Sequence, residues 1–181
     1  QYVCKLPCGD GTFHVFHARC LHEKVLDWPG DSEKRKIAWN DETASDLEKC
    51  CDGVCPFPAC GRGFKGRDIE YESLLDGCPN ELVAVFWGNL SRVKVLSSLK
   101  QTTIDSEGLN AMHIAAWKNC CYMIDFLSRE MRFDPNVEAV HWKRATPAFF
   151  GARNGNQHVL EALLRNGADL SIPAEHDWDY G

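Results

Sequence analysis

The chain has 181 residues, of which 44% are hydrophobic, and its formal net charge is −6. This length allows one ordinary domain, or a small domain beside a medium one, and the acidic balance argues against a general nucleic-acid binder. The sequence has no apolar stretch of the roughly 20 residues that would span a bilayer. Because the chain begins at Gln1 rather than at Met, we expect the natural start, with any targeting signal, to lie upstream.

Cysteine and histidine are concentrated in the first third of the chain. The residues concerned are Cys4, Cys8, Cys20, Cys50, Cys51, Cys55 and Cys60, together with His14, His17 and His22. A disulfide framework in a secreted protein would also use many cysteines. Disulfides have no use for histidines at regular spacing, whereas zinc (Zn2+) binds histidine as well as cysteine. Zinc is therefore the favoured interpretation, and a disulfide framework is the alternative.

A polar stretch over 31–49 has a helix-forming composition. Ser32 is a candidate cap for one short helix, and Asn40 or Asp41 for another. The basic run Lys34-Arg35-Lys36 within this stretch predicts a solvated helix face.

The composition changes after the cysteine-rich part. The segment 61–68 contains glycine and arginine and marks a boundary. From about Asn80, apolar residues recur at helical spacing in runs that are each about one short helix long. Turn-forming residues separate these runs, as at 105–108. We therefore expect a zinc domain over 1–66, a connector over 67–79 and a helical array over 80–181.

Two stretches of the helical part share one pattern. Residues 110–116 read N-A-M-H-I-A-A, and residues 146–152 read T-P-A-F-F-G-A. Both resemble the T-P-L-H-x-A-A sequence that opens the first helix of an ankyrin repeat. The resemblance implies a mostly α fold, namely an ankyrin-repeat solenoid of about three repeats behind a small zinc-stabilised domain. It also implies an array that is truncated at the C-terminus and binds a protein substrate on its concave face.

A second resemblance lies in the cysteine-rich part. Residues 6–21 read L-P-C-G-D-G-T-F-H-V-F-H-A-R-C-L. This stretch resembles the centre of a RING finger of the two-histidine type, a family of small zinc domains. His14, His17 and Cys20 have the spacing of that family.

Cys55 and Cys60 resemble the closing cysteine pair of a RING finger, with two extra residues between them. The resemblance implies that they share one structural zinc ion with Cys8 and His14, in a site that leaves no open position for a reactive water. The interval from Cys8 to His14 is longer than the family's. This difference indicates a looped insertion that still allows the two ligands to converge.

The resemblance also implies a second zinc site. His17 and Cys20 would bind it together with an earlier cysteine pair, which we expect to lie upstream of Gln1. The alternative is that this site is completed from within the chain by Cys4, Cys50 or Cys51.

A RING-type domain implies an E3 ubiquitin ligase. In that family the domain docks a ubiquitin-charged E2 enzyme and positions its thioester for attack, without supplying a nucleophile. By this resemblance the candidate residue that steadies ubiquitin is Arg62. The candidates for the E2-facing apolar surface are Val25, Leu26, Trp28 and Pro56. The ankyrin array would select the protein substrate inside the cell, in the cytoplasm or nucleus. The alternative is a non-enzymatic scaffold or adaptor with a degenerate structural zinc domain.

Overall fold

The computed structural model describes residues 2–8, 12–24, 33–49, 51–57, 60–73 and 77–174. It is 42% helical with 14% strand, so the protein has a mixed α/β fold. The expectation of a mostly α fold, with an ankyrin-repeat solenoid behind a small RING-like zinc domain, is therefore wrong. The strands belong to the N-terminal half, where the sequence analysis predicted no sheet.

Five strands form two antiparallel sheets within the described ranges. They are β1 (Tyr2–Pro7), β2 (Phe13–His17), β3 (Gly53–Val54), β4 (Gly63–Phe64) and β5 (Glu70–Ser73). The larger sheet has the strand order β2-β1-β5, and the smaller one pairs β3 with β4. In the larger sheet, Cys4 lies between Phe16 of β2 and Tyr71 of β5.

A period-two pattern in β1 accounts for the larger sheet. Cys4 and Leu6 are fully buried, whereas Val3 and Lys5, which alternate with them, are only partly buried. Such alternation is typical of a strand that places one face on the core. Cys4 was interpreted only as a metal ligand or a disulfide cysteine, and the strand was therefore missed. Burial raises the pKa of the Cys4 thiol to about 12, which is consistent with an inert core side chain.

Short helices complete the described N-terminal half. They are α1 (Ala18–Lys24), a 3-10 helix (Glu33–Lys36), α2 (Asp41–Lys49) and a second 3-10 helix (Gly66–Asp68). Asn40 caps α2, because its side-chain oxygen accepts the N–H groups of Glu42 and Thr43 at 3.0 Å each. Ser32, the predicted cap of an earlier helix, lies outside the described residues.

The described C-terminal half contains six helices in three consecutive pairs. They are α3 (Asn80–Phe86), α4 (Leu90–Val95), α5 (Ala111–Trp117), α6 (Cys121–Arg129), α7 (Pro147–Arg153) and α8 (Gln157–Arg165). Within each pair only three residues separate the two helices. Helix α5 packs between α3 and α7, and α6 packs on α8. No helix in the described part of the chain combines the length and apolar character needed to cross a membrane.

A turn at 105–108 leads into α5. The Gly108 N–H donates to the Asp105 carbonyl at 3.0 Å, and Gly108 adopts a φ of 73° that favours glycine. Asn110 then caps α5 by accepting the N–H groups of Met112 and His113. In return, His113 Nδ1 accepts the Asn110 N–H at 3.2 Å. This reciprocal cap fixes where the helix begins.

The N-terminal sheet and the helical half share one hydrophobic core. Strand β5 lies within the segment 67–79 that was predicted as a connector, yet it pairs with β1 and packs on α3. The fully buried side chain of Asn89 joins the two halves. Its Nδ2 donates to the Gly66 carbonyl at 2.8 Å and to the Tyr71 hydroxyl oxygen at 2.9 Å.

Arg35 is buried, and the prediction of a solvated basic face is wrong at this position. Its side chain is 0% exposed. The guanidinium donates to the Lys118 carbonyl at 2.7 Å and to the Phe86 carbonyl at 3.3 Å. Phe86 ends α3 and Lys118 follows the last residue of α5, so the cation lies where two helix dipoles present their negative ends. Charge compensation by these carbonyls explains how an arginine can lie in the core.

Candidate metal centre

Two antiparallel hairpins bring four candidate ligands together. Cys8 follows β1 and His14 lies in β2, while Cys55 follows β3 and Cys60 precedes β4. Their ligand atoms, three sulfurs and one imidazole nitrogen, all lie within 4.8 Å of one another. These are the four residues that the sequence analysis assigned to one zinc ion, and the cluster could hold a metal ion.

The first hairpin explains how Cys8 and His14 meet, although the interval between them is longer than in a RING finger. The register of β1 and β2 places His14 opposite Leu6, two residues before Cys8. The Cys8 N–H then donates to the Thr12 carbonyl at 3.0 Å. The two ends of the intervening segment are therefore held close together. Cys8 and His14 can converge for this reason, although the interval between them is longer than in the RING family.

The second hairpin supplies the other two ligands. The Cys55 N–H donates to the Arg62 carbonyl at 2.7 Å, and the Cys60 N–H donates to the Phe57 carbonyl at 3.0 Å. Gly61 follows with a left-handed φ of 58°, which glycine adopts at little cost. These contacts within the hairpin fix Cys55 and Cys60 near each other.

Distances in the cluster fit tetrahedral coordination after small movements. His14 Nδ1 lies 3.3 Å from Cys55 Sγ, and the His14 ring stacks on Phe57 with centroids 4.0 Å apart. In a tetrahedral site with zinc–sulfur bonds of about 2.3 Å, neighbouring sulfurs lie about 3.8 Å apart. Three thiolates and one imidazole form a donor set that suits zinc and leaves no coordination position open. The residues present therefore fit a structural metal.

Two thiols of the cluster are in contrasting electrostatic environments. Burial, followed by hydrogen bonds with the other two thiols, raises the pKa of Cys8 to about 12. A hydrogen bond from the backbone N–H of Arg62 is the main cause that lowers the pKa of Cys60. A divalent cation would hold all three thiols as thiolates and displace their protons.

The other two predicted ligands lie apart from this cluster. His17 ends β2 and Cys20 lies in α1, and both are exposed. Among the described residues, neither belongs to a group of three or more candidate ligands. Cys4 and Cys51 are fully buried, whereas Cys50 lies outside the described ranges. The second zinc site stays a prediction.

The predicted partner-binding residues fall in two places. Val25, Leu26 and Trp28 lie outside the described residues. Pro56 and Arg62 lie on the β3–β4 hairpin beside the metal ligands, and both are exposed.

Sequence reasoning missed three exposed apolar side chains near the cluster. Phe57 on the hairpin is 50% exposed, and Phe13 and Val15 on the outer face of β2 are 46% and 59% exposed. The alternation of β2 was the signal for Phe13 and Val15, but it was read only as ligand spacing. Nothing in the local sequence distinguished Phe57 from a core residue.

None of the nine cysteines in the described ranges forms a disulfide. The disulfide framework that composition alone allowed therefore has no pair among them. Cys120 and Cys121 are buried within the helical half, away from the four-residue cluster.

Comparisons with known proteins add no relative to this picture. No protein-family model matches the chain, and a search of curated proteins found no match. The function must therefore be argued from the residues and geometry described above.

Proposed function

We propose that this chain is part of a RING-type E3 ubiquitin ligase, in which a zinc-stabilised module docks a ubiquitin-charged E2 enzyme. The observation that supports the proposal is the cluster of Cys8, His14, Cys55 and Cys60, whose ligand atoms lie within 4.8 Å of one another. Residue types and chain order both match one site of the RING pattern stated above.

The metal in this proposal is zinc, and its role is structural. Four protein ligands leave no position for an activated water, which disfavours hydrolysis. The β3–β4 hairpin has only two residues in each strand, so it depends on other contacts for its order. Zinc would join this hairpin to the β1–β2 hairpin and so fix the surface that both present.

The docking surface in this proposal is the exposed rim of the metal centre. Pro56 and Phe57 supply apolar contact on the β3–β4 hairpin, and Arg62 supplies a positive charge beside them. An exposed aromatic next to an arginine is typical of a protein–protein contact. Such a surface would act by holding the E2 thioester in a reactive arrangement, and it would supply no reacting group.

In the same proposal the helical half selects the protein substrate. Its surface has large exposed apolar side chains, including Trp117 at 48% and Val140 at 63%. An intracellular location belongs to the proposal, since reducing compartments keep cysteine ligands as thiols.

Ubiquitin discharge from a panel of charged E2 enzymes tests the ligase proposal. Pro56→Asp and Arg62→Glu should each slow discharge roughly thirtyfold, the equivalent of a contact worth about 2 kcal/mol. Zinc content should stay unchanged, because neither side chain is a ligand. Leu164→Asp is the matched control, since it places a charge on an exposed apolar position of the helical half. Zinc-loaded protein that accelerates discharge from no E2 would refute the ligase proposal.

The second candidate is a non-enzymatic scaffold or adaptor. The observation that favours it is that His17 and Cys20 join no second cluster among the described residues. The shared core also favours the scaffold. The metal-bearing half packs directly on the helices, as expected of a zinc site whose role is to stabilise the fold. A scaffold predicts zinc binding and partner binding without any acceleration of ubiquitin discharge.

A further inference from the structure

Solvent access differs among the three thiols of the metal centre. Cys8 and Cys55 are 6% and 4% exposed, whereas Cys60 is only partly buried. An oxidant that approaches from solvent therefore meets Cys60 first. The other two sulfurs lie within 4.8 Å of it, close enough to react with it after a small movement.

The second hairpin holds one particular pair of thiols together. The Cys55 N–H to Arg62 carbonyl bond and the Cys60 N–H to Phe57 carbonyl bond are contained within the hairpin. The pairing of Gly53 with Phe64 closes its base. Cys8, in contrast, follows a strand of the other hairpin, so its distance from Cys60 depends on how the two hairpins are joined.

We propose that Cys60 is an oxidative modification site, at which a peroxide forms a sulfenic acid that Cys55 converts to a disulfide, with release of the metal. This inference rests on the metal centre of the proposed function but not on the ligase activity. The inference adds to the proposed function a release of the metal that is controlled by oxidation.

The chemistry balances with hydrogen peroxide as the oxidant. The Cys60 thiolate attacks one peroxide oxygen, an S–O bond forms, the O–O bond breaks, and hydroxide leaves to become water. The Cys55 thiolate then attacks the Cys60 sulfur, an S–S bond forms, the S–O bond breaks, and a second hydroxide leaves. Overall the two thiolate sulfurs lose two electrons, and one peroxide takes up two protons from the solvent and becomes two water molecules.

Loss of the metal follows from the loss of two donors. A disulfide is not a thiolate ligand, so only Cys8 and His14 would remain, too few for a tetrahedral site. The β3–β4 hairpin would then be cross-linked only to itself and would lose its metal link to the β1–β2 hairpin. The exposed rim formed by Pro56, Phe57 and Arg62 would change with it.

Peroxide treatment of the zinc-loaded full chain tests the inference. Zinc release is followed with a chromogenic chelator, and the cross-linked peptides are identified by mass spectrometry. We expect one zinc ion to be released as a Cys55–Cys60 disulfide forms, and a thiol reductant with added zinc to restore the starting state. Cys60→His keeps a four-donor site without a reactive sulfur at this position, so its zinc release should be at least tenfold slower. Cys78→Ser removes a partly buried thiol that belongs to no predicted zinc site and should leave the rate unchanged.

Three results would overturn the inference. They are retention of zinc by the oxidised wild type, a disulfide that joins Cys60 to Cys8 instead, or equal release rates in wild type and Cys60→His. The mapped disulfide in the wild type decides the matter even if Cys60→His fails to fold. Protein that contains no zinc before oxidation would instead refute the metal centre itself, which separates the two failures.

Discussion

Asn89 offers the sharpest test that the metal-bearing half and the helices form one folding unit. Its Nδ2 donates to the Gly66 carbonyl at 2.8 Å and to the Tyr71 hydroxyl oxygen at 2.9 Å. Its Oδ1 accepts the Arg92 N–H at 3.0 Å and so caps α4. Asn89→Ala removes all three contacts from a fully buried position.

The expected cost can be worked from these contacts. Loss of the cap costs about 1 kcal/mol. Loss of the two Nδ2 hydrogen bonds, to the Gly66 carbonyl and to the Tyr71 hydroxyl oxygen, adds about 0.5–1.5 kcal/mol each. The sum is about 2–4 kcal/mol of unfolding free energy, or roughly 4–16 °C in Tm for a protein of this length.

Urea unfolding followed by circular dichroism measures this change. Asn156→Ala is the matched control, because Asn156 also precedes a helix, α8, but its side chain makes no cap hydrogen bond. The control should stay within about 0.5 kcal/mol of wild type. Wild type should unfold in one transition. Equal stabilities of the two variants, or separate transitions for the two halves, would refute the reasoning.

Two further predictions concern the helical half. Burial lowers the pKa of His113 from 6.5 to about 4. Above pH 6.5 neither state is charged, so stability should fall as the pH decreases from about 6.5 to 4, by about 2 kcal/mol at pH 5. His113→Gln should remove this part of the pH dependence in urea unfolding at pH 7 and 5, and an unchanged dependence would contradict the assignment. Gly108→Ala should cost about 2 kcal/mol or more in thermal unfolding, since its Cβ would lie 2.8 Å from the His141 backbone nitrogen at a φ of 73°. Gly155→Ala has a similar φ but open space, so it should cost only about 1 kcal/mol, and equal losses would show that the close approach is unimportant.

The four-residue cluster could be predicted from sequence because its chemistry restricts the residue types. Cysteine and histidine are the usual ligands of structural zinc, and the resemblance to a RING finger implied that Cys8, His14, Cys55 and Cys60 share one site. The same reasoning failed for Cys4, since a cysteine is both a ligand and a small apolar core residue. Only the alternation with Val3 and Lys5 separated the two roles.

The sheet and the buried arginine depend on contacts between distant parts of the chain. Strand β5 pairs with β1 across most of the N-terminal half, and its short sequence has no strong strand pattern of its own. Arg35 donates to carbonyls 51 and 83 residues away. A local basic run cannot indicate such partners, so the solvated interpretation was the natural one.

The helices beyond Asn80 were accessible to sequence reasoning because apolar spacing is a local signal. The fold class was not accessible in this way, since it depends on how much β-strand the N-terminal half contains. Repeated motifs at 110–116 and 146–152 indicated helices at the right places, yet they carried no information about the sheet on which α3 packs.

Zinc content of the purified chain tests the central claim most directly. Elemental analysis of wild type should give one zinc ion held by Cys8, His14, Cys55 and Cys60. The double substitution Cys55→Ser with Cys60→Ser should abolish this binding, whereas Cys78→Ser, at a cysteine outside both predicted zinc sites, should retain it. Wild type without zinc, or an unchanged zinc content in the double variant, would contradict the account.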